Sequence, residues 1–377
     1  MPRRYDMPLL FLTLTLVAFG LAMVYSASAF LAVEQNGDAM HFVTRQGFAV
    51  MLGAVAMGVL ARLPYRRLRK WAPTLYVATC ISLVLVWVPG VGHAANGSAR
   101  WFGVGGLHFQ PAEFLKVVLL ISLASWLHRN RADIHEPRVL LGAGALLAPL
   151  GLVALQPDFG STAIIVLLSG LMFFFAGLRW AWIGLGGSVM ALGLGALMIA
   201  EPYRIKRLTS FLNPFADCSG DGYQVCQSLL ALHHGGLVGQ GPGEGSAKLL
   251  YLPEPQNDFI AAVVGEELGL WGMVLLLVLY GALAARGFSI ARRAADPFGA
   301  LLASTFTVMI VGQACLNLGV VTSLVPPKGL VLPFISYGAT AMMVNLAAVG
   351  ILLSISAEAK EEKAAAAAPA PNLAGST

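Results

Sequence analysis

LLFLTLTLVAFGLAMVYSASAFL, residues 9–31, decides the fold, because it is an apolar run without a charged side chain. A helix needs about 20 such residues to cross the hydrocarbon core of a bilayer. Similar runs recur along the 377-residue chain. No small-residue cleavage site follows the first run, which predicts a retained helix rather than a signal peptide. The sequence therefore predicts an all-α, polytopic integral membrane protein.

The composition excludes a water-soluble fold. Hydrophobic residues make up 57% of the chain and charged residues 11%, whereas a soluble domain carries about 25% charged residues. The net charge of +5 comes from basic residues in short loops. Because no basic stripe with interleaved aromatic residues is present, the charge indicates membrane topology rather than nucleic-acid binding.

Ten transmembrane spans are predicted from the apolar runs. Their ranges are 9–31, 46–61, 73–89, 112–128, 139–155, 160–177, 181–200, 258–285, 298–320 and 337–356. With the N-terminus in the cytoplasm, 16 of the 24 basic residues lie in inner segments, seven in outer segments and Lys116 within a span. This bias predicts that both termini are cytoplasmic.

The chain is predicted to form one membrane domain over residues 1–357, with 201–257 as its one long outer loop. Residues 358–377 are predicted to form a disordered cytoplasmic tail, because their composition is of low complexity. The glycine-rich stretch 235–245, GGLVGQGPGEG, follows no strand and lacks the Gly-Lys-Ser/Thr of a phosphate-binding loop. It is predicted to be a flexible loop.

Costly polar groups lie in or near the spans, all on the predicted outer side. Asp258 opens an apolar helix, with Glu254 before it and the pair 266–267, both Glu, deeper in the span. A helix cap and a functional carboxylate are equally good interpretations of Asp258. Glu113 and Lys116 are three residues apart, so they share a helix face and can form an ion pair. That pair is either structural or lines a cavity.

Three further outer segments are polar or irregular. Arg100 precedes Trp101 and could bind a phosphate or a lipid headgroup, while Asp158 is predicted to cap the next helix rather than to act in catalysis. The stretch 325–338, VPPKGLVLPFISYG, has too many prolines for a continuous helix. It is predicted to be a re-entrant outer loop beside a cavity. Together these segments predict an outward-facing polar site for a substrate whose tail stays in lipid.

These residues resemble the FtsW/RodA/SpoVE family of shape, elongation, division and sporulation proteins over about residues 6–356. The motifs that carry the resemblance are GLAMVYSAS at 20–28, QPAEFLK at 110–116, GYQ at 222–224, YLPE at 251–254 with DFI at 258–260 and EELG at 266–269, and PKGLVLPFISYG at 327–338. The first motif is more similar to the division member of the family than to the elongation member.

The resemblance implies a peptidoglycan glycosyltransferase that polymerises lipid II on the outer face of the bacterial inner membrane, at the division septum. It implies that Asp258 is the general base, and that a divalent cation, Mg or Mn, or basic side chains neutralise the diphosphate. A class B penicillin-binding protein and other division proteins are the expected partners. The residues expected to bind the substrate are Glu113, Lys116, Arg100, Arg204, Lys248, Glu254, Lys328 and Ser336.

The chain departs from the family pattern at Leu250, at Gln256-Asn257 and at Ala339, which leaves Asp258 as the main catalytic candidate. Cys218 and Cys226 flank a short outer stretch, where an oxidising compartment would permit a disulfide that stiffens the loop. Two rival functions are a lipid II flippase and a non-catalytic division scaffold. The absence of a matching polar set near the inner ends of the spans favours the enzyme.

Overall fold

The computed structural model consists mainly of long apolar helices. It describes residues 4–88, 92–95, 98–104, 107–156, 158–199, 211, 214–216, 218–220, 222–249, 252–327 and 329–367. The α-helices are α1 (Met7–Asn36), α2 (His41–Arg62), α3 (Arg66–Leu85), α4 (Pro111–Arg129), α5 (Pro137–Leu146), α6 (Pro149–Leu155), α7 (Phe159–Phe175), α8 (Trp180–Ile199), α9 (Tyr223–Gly235), α10 (Ile260–Arg293), α11 (Pro297–Val321) and α12 (Ala339–Ala367).

The all-α membrane fold predicted from the sequence is confirmed. Within the described residues, seven helical segments are long and apolar enough to cross a membrane: Met7–Gln35, His41–Arg62, Pro111–Arg129, Pro137–Leu155, Ile260–Arg293, Pro297–Val321 and Ala339–Glu362. The fifth of the predicted spans, 139–155, is broken between α5 and α6, where Pro149 cannot continue a regular helix. Each of the ten predicted spans overlaps a helix, while the count of ten crossings stays a prediction.

Aspartate caps start three of the helices. The side chain of Asp6 accepts a hydrogen bond from the backbone N–H of Leu9 at the start of α1. Asp158 caps α7 and Asp296 caps α11 in the same way. An aspartate at this position satisfies a backbone donor that the helix leaves unpaired. The prediction that Asp158 is a cap is therefore confirmed.

The predicted eighth span, 258–285, is not a single membrane-crossing helix. Gly269 interrupts α10 with φ 64° and ψ −159°, a backbone region that favours glycine. Residues 260–267 are buried on every side, whereas the helix after the break has both buried and exposed faces. We call the two parts α10a (260–268) and α10b (270–293). Because α10b has a rise of about 36 Å, it is long enough to cross a bilayer by itself.

The glycine-rich stretch is a loop over 236–245, as predicted, and backbone hydrogen bonds hold part of it against α10. It wraps around the break in α10, where the backbone N–H of Gln240 donates to Glu266 O at 3.0 Å and that of Gly241 donates to Glu267 O at 3.0 Å. Gly239 has φ 88° and lies directly against the backbone of Gly269. A side chain at Gly239 would overlap that backbone, so glycine is required there.

A small sheet that the sequence analysis did not predict lies between α3 and α4. Strands β1 (Gly92–Ala95), β2 (Ser98–Val104) and β3 (Leu107–Phe109) pair antiparallel in the order β1-β2-β3. β2 places Arg100 beside the turn that leads from α6 to α7, since its Nε donates to Gln156 O at 3.0 Å. The sheet thus closes part of the outer side of the bundle.

α12 is the most buried of the membrane-crossing candidates and packs along α2. Of its most apolar window, 89% is buried. Gly53 of α2 faces Leu346, and Gly350 of α12 faces the backbone of Met57, so the two helices approach closely through small residues. α12 also continues to Ala367. The predicted tail is therefore corrected: its first ten residues are helical, and residues 368–377 lie outside the described chain.

Ion pairs join the helix ends on the side that the charge bias assigns to the cytoplasm, which we call the inner end. Asp6 pairs with Arg286 at 2.6 Å, and Arg66 pairs with Asp296 at 3.1 Å and with Glu362 at 2.5 Å. The N-terminus, the α2–α3 and α10–α11 connections and the end of α12 therefore meet on one side. This matches the predicted alternation of these helices across the membrane.

Candidate functional site

Asp258 lies in the connection Leu252–Phe259, just before α10a, and its side chain is half-buried. The N-cap residue of the helix is Phe259, and no side chain caps it. Asp258 therefore lies one residue before the cap position. Its role as a functional carboxylate stays a prediction.

Asn317 of α11 fixes the backbone at Asp258. The Asn317 side chain is buried, and its Nδ2 donates to Asp258 O at 2.8 Å and also to Leu330 O. One amide therefore holds two irregular segments together. Asn317 was not among the residues predicted from the sequence because it is not ionisable, although a polar amide in an apolar span is a usable signal.

The outer connection 322–338, which we call the re-entrant loop, packs directly against Asp258. A Cβ atom added at Gly329 would lie 2.8 Å from Asp258 Oδ2, so the carboxylate lies against the backbone of this loop. Ser336 Oγ donates to Asn257 O at 2.6 Å and accepts from the N–H of Leu332 at 2.7 Å. Ser336, predicted to bind substrate, is buried and joins the loop to the connection that carries Asp258.

The re-entrant loop is irregular, as predicted, and its residues 332–336 are buried, whereas Leu324 and Gly329 are exposed. Phe334 and Ile335 are almost fully buried, and Tyr280 of α10b donates its hydroxyl to Pro333 O. Gly20 of α1 lies directly against the carbonyl of Phe334, where a side chain would not fit. Gln46 of α2, which the sequence analysis did not single out, donates to Ser336 O at 3.1 Å. Protein groups thus satisfy this backbone at membrane depth.

The carboxylates of Glu266 and Glu267 anchor the end of the long outer loop. Glu266 Oε1 accepts from the backbone N–H and the hydroxyl of Ser246, both at 2.9 Å. Glu267 Oε1 accepts from Lys248 Nζ at 2.7 Å and from Ser26 Oγ at 2.6 Å. Lys248, predicted to bind substrate, is therefore buried in an ion pair. Its ammonium offsets the charge that burial of Glu267 would otherwise leave unpaired.

The predicted ion pair on α4 is present. Lys116 Nζ lies 2.8 Å from Glu113 Oε2, and the lysine side chain is 2% exposed. An ion pair this buried persists because separating the charges would leave each of them unpaired in a medium of low dielectric. The geometry supports the structural interpretation and leaves substrate binding by either residue a prediction.

The remaining predicted residues lie at the rim of this region or outside the described chain. Glu254 is exposed, with φ 51°, and its Oε2 accepts from Asn257 Nδ2 at 2.7 Å. Arg204 and Lys328 lie outside the described residues. Cys218 and Cys226 form a disulfide with a Cα–Cα distance of 5.6 Å.

A protein-only metal site is absent from the part of the chain that the structure describes, where no three His, Cys, Asp or Glu side chains cluster as ligands. Mg²⁺ usually takes one or two carboxylates together with phosphates of the substrate. The connection 252–259 supplies Glu254 and Asp258 for such an arrangement. These residues fit a cation shared with a diphosphate rather than one held by protein alone.

The inner end carries a polar cleft that the sequence analysis did not expect. It has a volume of about 450 Å³, and His128, Arg131, Arg292 and Asp296 are among its lining residues. The predicted absence of polar groups near the inner ends of the spans is therefore wrong. Between the two ends, Leu276, Leu283, Phe306 and Met309 are fully buried, so a packed apolar core separates the cleft from Asp258.

The fold and the outer site define a multi-pass membrane protein with a buried re-entrant loop beside a carboxylate. Residues 7–361 match the family model FTSW_RODA_SPOVE, described as cell cycle protein. The chain belongs to this family.

Two curated relatives are similar to the chain over most of its length. A probable peptidoglycan glycosyltransferase FtsW from Trichlorobacter lovleyi is 40% identical over 94% of this chain and 94% of its own. Stage V sporulation protein E from Bacillus subtilis is 41% identical over 93% of this chain and 96% of its own.

Two solved structures share the fold. A chain from a peptidoglycan synthase complex that coordinates polymerization and crosslinking superposes with a TM-score of 0.77 at 31% identity, over 94% of this chain and 98% of its own. The rod shape determining protein RodA from Thermus thermophilus gives a TM-score of 0.68 at 31% identity, over 93% of this chain and 96% of its own.

Proposed function

We propose that this chain is a peptidoglycan glycosyltransferase that polymerises lipid II into glycan strands during cell division. The names of its relatives support the reaction class. The observation that carries the assignment to a site is the half-buried carboxylate of Asp258, which lies just before the N-cap position of α10 and against the re-entrant loop. The proposed place of action is the outer face of the bacterial inner membrane, at the septum.

In the proposed reaction, Asp258 removes the proton from the 4-hydroxyl of the acceptor sugar. That oxygen forms a bond to the anomeric carbon of the donor, while the bond from this carbon to the lipid diphosphate breaks. The electron pair of the broken bond leaves with the diphosphate, and the single displacement inverts the anomeric centre. General base catalysis of this kind contributes about 10²–10⁴-fold to a rate.

The fixed surroundings of Asp258 suit a base that must meet its substrate in one orientation. Asn317 holds its backbone, and Ser336 holds the residue before it, so little reorganisation is needed when the sugar arrives. A bound Mg²⁺ or Mn²⁺ would offset the charge that develops on the leaving diphosphate. In this proposal Asp258 takes the proton. Glu254, the other carboxylate of the connection 252–259, would therefore hold the cation.

The diphosphate also needs basic side chains, and Arg100 is the best placed of the described candidates. Its guanidinium lies at the outer side, where Nε already donates to Gln156 O at 3.0 Å. Arg204 and Lys328 are the other proposed contacts. Lys116 and Lys248 are paired with glutamates, so we assign them to structure. A class B penicillin-binding protein is the proposed partner, because the similar complex couples polymerization with crosslinking.

The test uses the purified full chain with its transpeptidase partner, lipid II and Mg²⁺ or Mn²⁺, and measures glycan polymer. We expect Asp258→Asn to lower the polymerisation rate by at least about 100-fold without a change in partner binding. Glu244→Gln, an exposed carboxylate in the long outer loop, is the matched control and should keep full activity. Full polymerisation by Asp258→Asn would overturn the assignment of the base, whereas the absence of polymer from the wild type with its partner would favour a scaffold.

The flippase alternative is tested in sealed vesicles. The inner cleft favours it, whereas the packed core between the cleft and Asp258 argues against a path. If the wild type transports lipid II but forms no polymer, and Asp258→Asn leaves the transport unchanged, the chain is a transporter rather than an enzyme.

A further inference from the structure

The inner cleft is formed by the ends of four helices and two connections. His128 is the second-last residue of α4, Phe175 ends α7, Arg292 lies near the end of α10b, and Ser304 lies in the first turns of α11. An adjoining depression of about 510 Å³ is lined by Ala285, Phe288, Ala291, Arg292 and Ser304. Because the two share Ala291, Arg292 and Ser304, they form one continuous surface, which we call the inner groove.

The mouth of the inner groove is cationic. Arg131 and Arg292 line it, both are exposed, and neither has an ion pair among the residues that the structure describes. The next residue, Arg293, does have an acidic partner, since its guanidinium lies 3.7 Å from Asp6. The one acidic residue of the cleft, Asp296, is engaged by Arg66 at 3.1 Å and by the N–H of Gly299 at 2.7 Å.

The other half of the inner groove is apolar and runs along the membrane-facing surface of α10b. Ala285, Phe288 and Arg292 are spaced by three and four residues, so they lie on one face of the helix. Ala285 and Phe288 are exposed, and Ala285 lies about 10 Å along the helix from Arg292. Two arginines at the mouth of the groove are thus followed by an exposed apolar wall along α10b.

We propose that the inner groove binds an anionic phospholipid of the cytoplasmic leaflet, with its phosphate between Arg131 and Arg292 and an acyl chain along Ala285 and Phe288. A soluble anion would use the guanidinium groups and leave the apolar wall unused. A polyprenyl diphosphate has the same phosphate chemistry, but Ala285, where the groove begins, lies about 22 Å along α10b from its outer start, and the packed apolar core separates the groove from Asp258. The lipid is therefore a bound cofactor of the fold and takes no part in the reaction at Asp258.

The test measures binding of phosphatidylglycerol and phosphatidylcholine to the delipidated full chain by native mass spectrometry. The wild type should retain phosphatidylglycerol in preference to phosphatidylcholine. R131Q/R292Q should weaken phosphatidylglycerol binding by about tenfold or more, since each basic residue near an anionic headgroup contributes roughly fivefold. Arg138→Gln removes one exposed inner-end charge that pairs with Glu136 at 2.5 Å, and should bind as the wild type does.

A second variant tests the apolar wall without touching charge. Ala285→Trp should fill the groove and weaken phosphatidylglycerol binding, whereas Leu277→Trp, at another exposed site on α10b, should not. The proposal is overturned if R131Q/R292Q and Ala285→Trp both bind phosphatidylglycerol as the wild type does, or if phosphatidylcholine binds equally well. It is also overturned if a short-chain polyprenyl diphosphate displaces phosphatidylglycerol at lower concentration, because the groove would then be a carrier-lipid site.

Discussion

Gly329 controls the position of the Asp258 carboxylate. A methyl group there would lie 2.8 Å from Asp258 Oδ2, and the backbone of Gly329 does not have a positive φ. Gly329→Ala should therefore act through the carboxylate alone. We expect polymerisation to fall by about tenfold or more, since small displacements of a reacting group cost rate steeply, while the thermal unfolding midpoint changes little.

The matched control is Gly338→Ala in the same re-entrant loop. A Cβ atom at Gly338 would lie 3.4 Å from Val331 Cγ1, an ordinary contact, so this variant should keep both activity and midpoint. Equal activity of the two variants would show that the carboxylate tolerates displacement and would remove the basis of this prediction.

At the residue scale, the sequence identified Asp258 but could not separate the cap from the functional carboxylate. Capping depends on where the helix begins, and the helix begins one residue later than expected, after Phe259 as cap. The residues that contact Asp258 could not be predicted from the sequence either. Asn317 and Gly329 contact it only because α11 and the re-entrant loop fold back over the connection.

Among the elements, α10 depends on the backbone break at Gly269. Gly269→Ala would place a side chain in a left-handed conformation against the backbone of Gly239. We expect a loss of about 2 kcal/mol or more in stability, measured as a lower midpoint of thermal unfolding in detergent. Gly281→Ala lies in α10b with nothing within 4 Å, and it should be neutral or raise stability by up to about 1 kcal/mol. Similar midpoints for the two variants would contradict this account.

The break illustrates what apolar patterning misses. Residues 258–285 form one long hydrophobic run, and glycine is common in membrane helices, so Gly269 carried no visible signal. The burial pattern separates the two parts, because residues 260–267 of α10a are buried whereas α10b has exposed faces. The same limit applies to β1–β3, whose short strands pair through backbone groups rather than through a distinctive side-chain pattern.

For the whole molecule, the ion pairs at the inner end make stability depend on pH. Burial of the Asp6 carboxyl acts to raise its pKa, but hydrogen bonds from Arg286 and from the N–H of Leu9 outweigh it and lower the pKa. In the unfolded chain the Asp6 carboxyl has a pKa of about 3.9. As the pH falls, it is therefore protonated at a higher pH in the unfolded chain than in the folded protein. The stability contributed by Asp6 is present above that value and is lost as the pH falls through the folded-state pKa.

We accordingly expect the thermal midpoint to fall between about pH 5.5 and about pH 3. Asp6→Asn should lower the midpoint at the higher pH and flatten the decline. Asp133→Asn, whose exposed carboxylate lies 3.5 Å from Arg138 at the same end of the molecule, should leave the decline unchanged. An undiminished decline in Asp6→Asn would assign the effect to other carboxylates.

Most of the global arrangement was predictable, because hydrophobic runs and the distribution of Lys and Arg determine which helix ends share a side of the membrane. The ion pairs of Asp6 and Arg66 unite helix ends that the charge bias had already grouped. The inner groove was not predictable, since Arg131 and Arg292 are far apart in sequence. In the sequence alone, each is indistinguishable from the other basic residues near the loops. Only the packing of α4 against α11 brings them to one cleft.

The pairing of α12 with α2 has a consequence for biogenesis. The ribosome makes α12 long after α2, yet α12 covers Gly53 of α2, which enters the membrane among the first helices. Until α12 has been made, α2 stays in the bilayer with Gly53, and with Gln46, uncovered. A nascent chain that stalls before residue 339 therefore exposes an incomplete bundle to membrane quality control, however well its earlier helices have inserted.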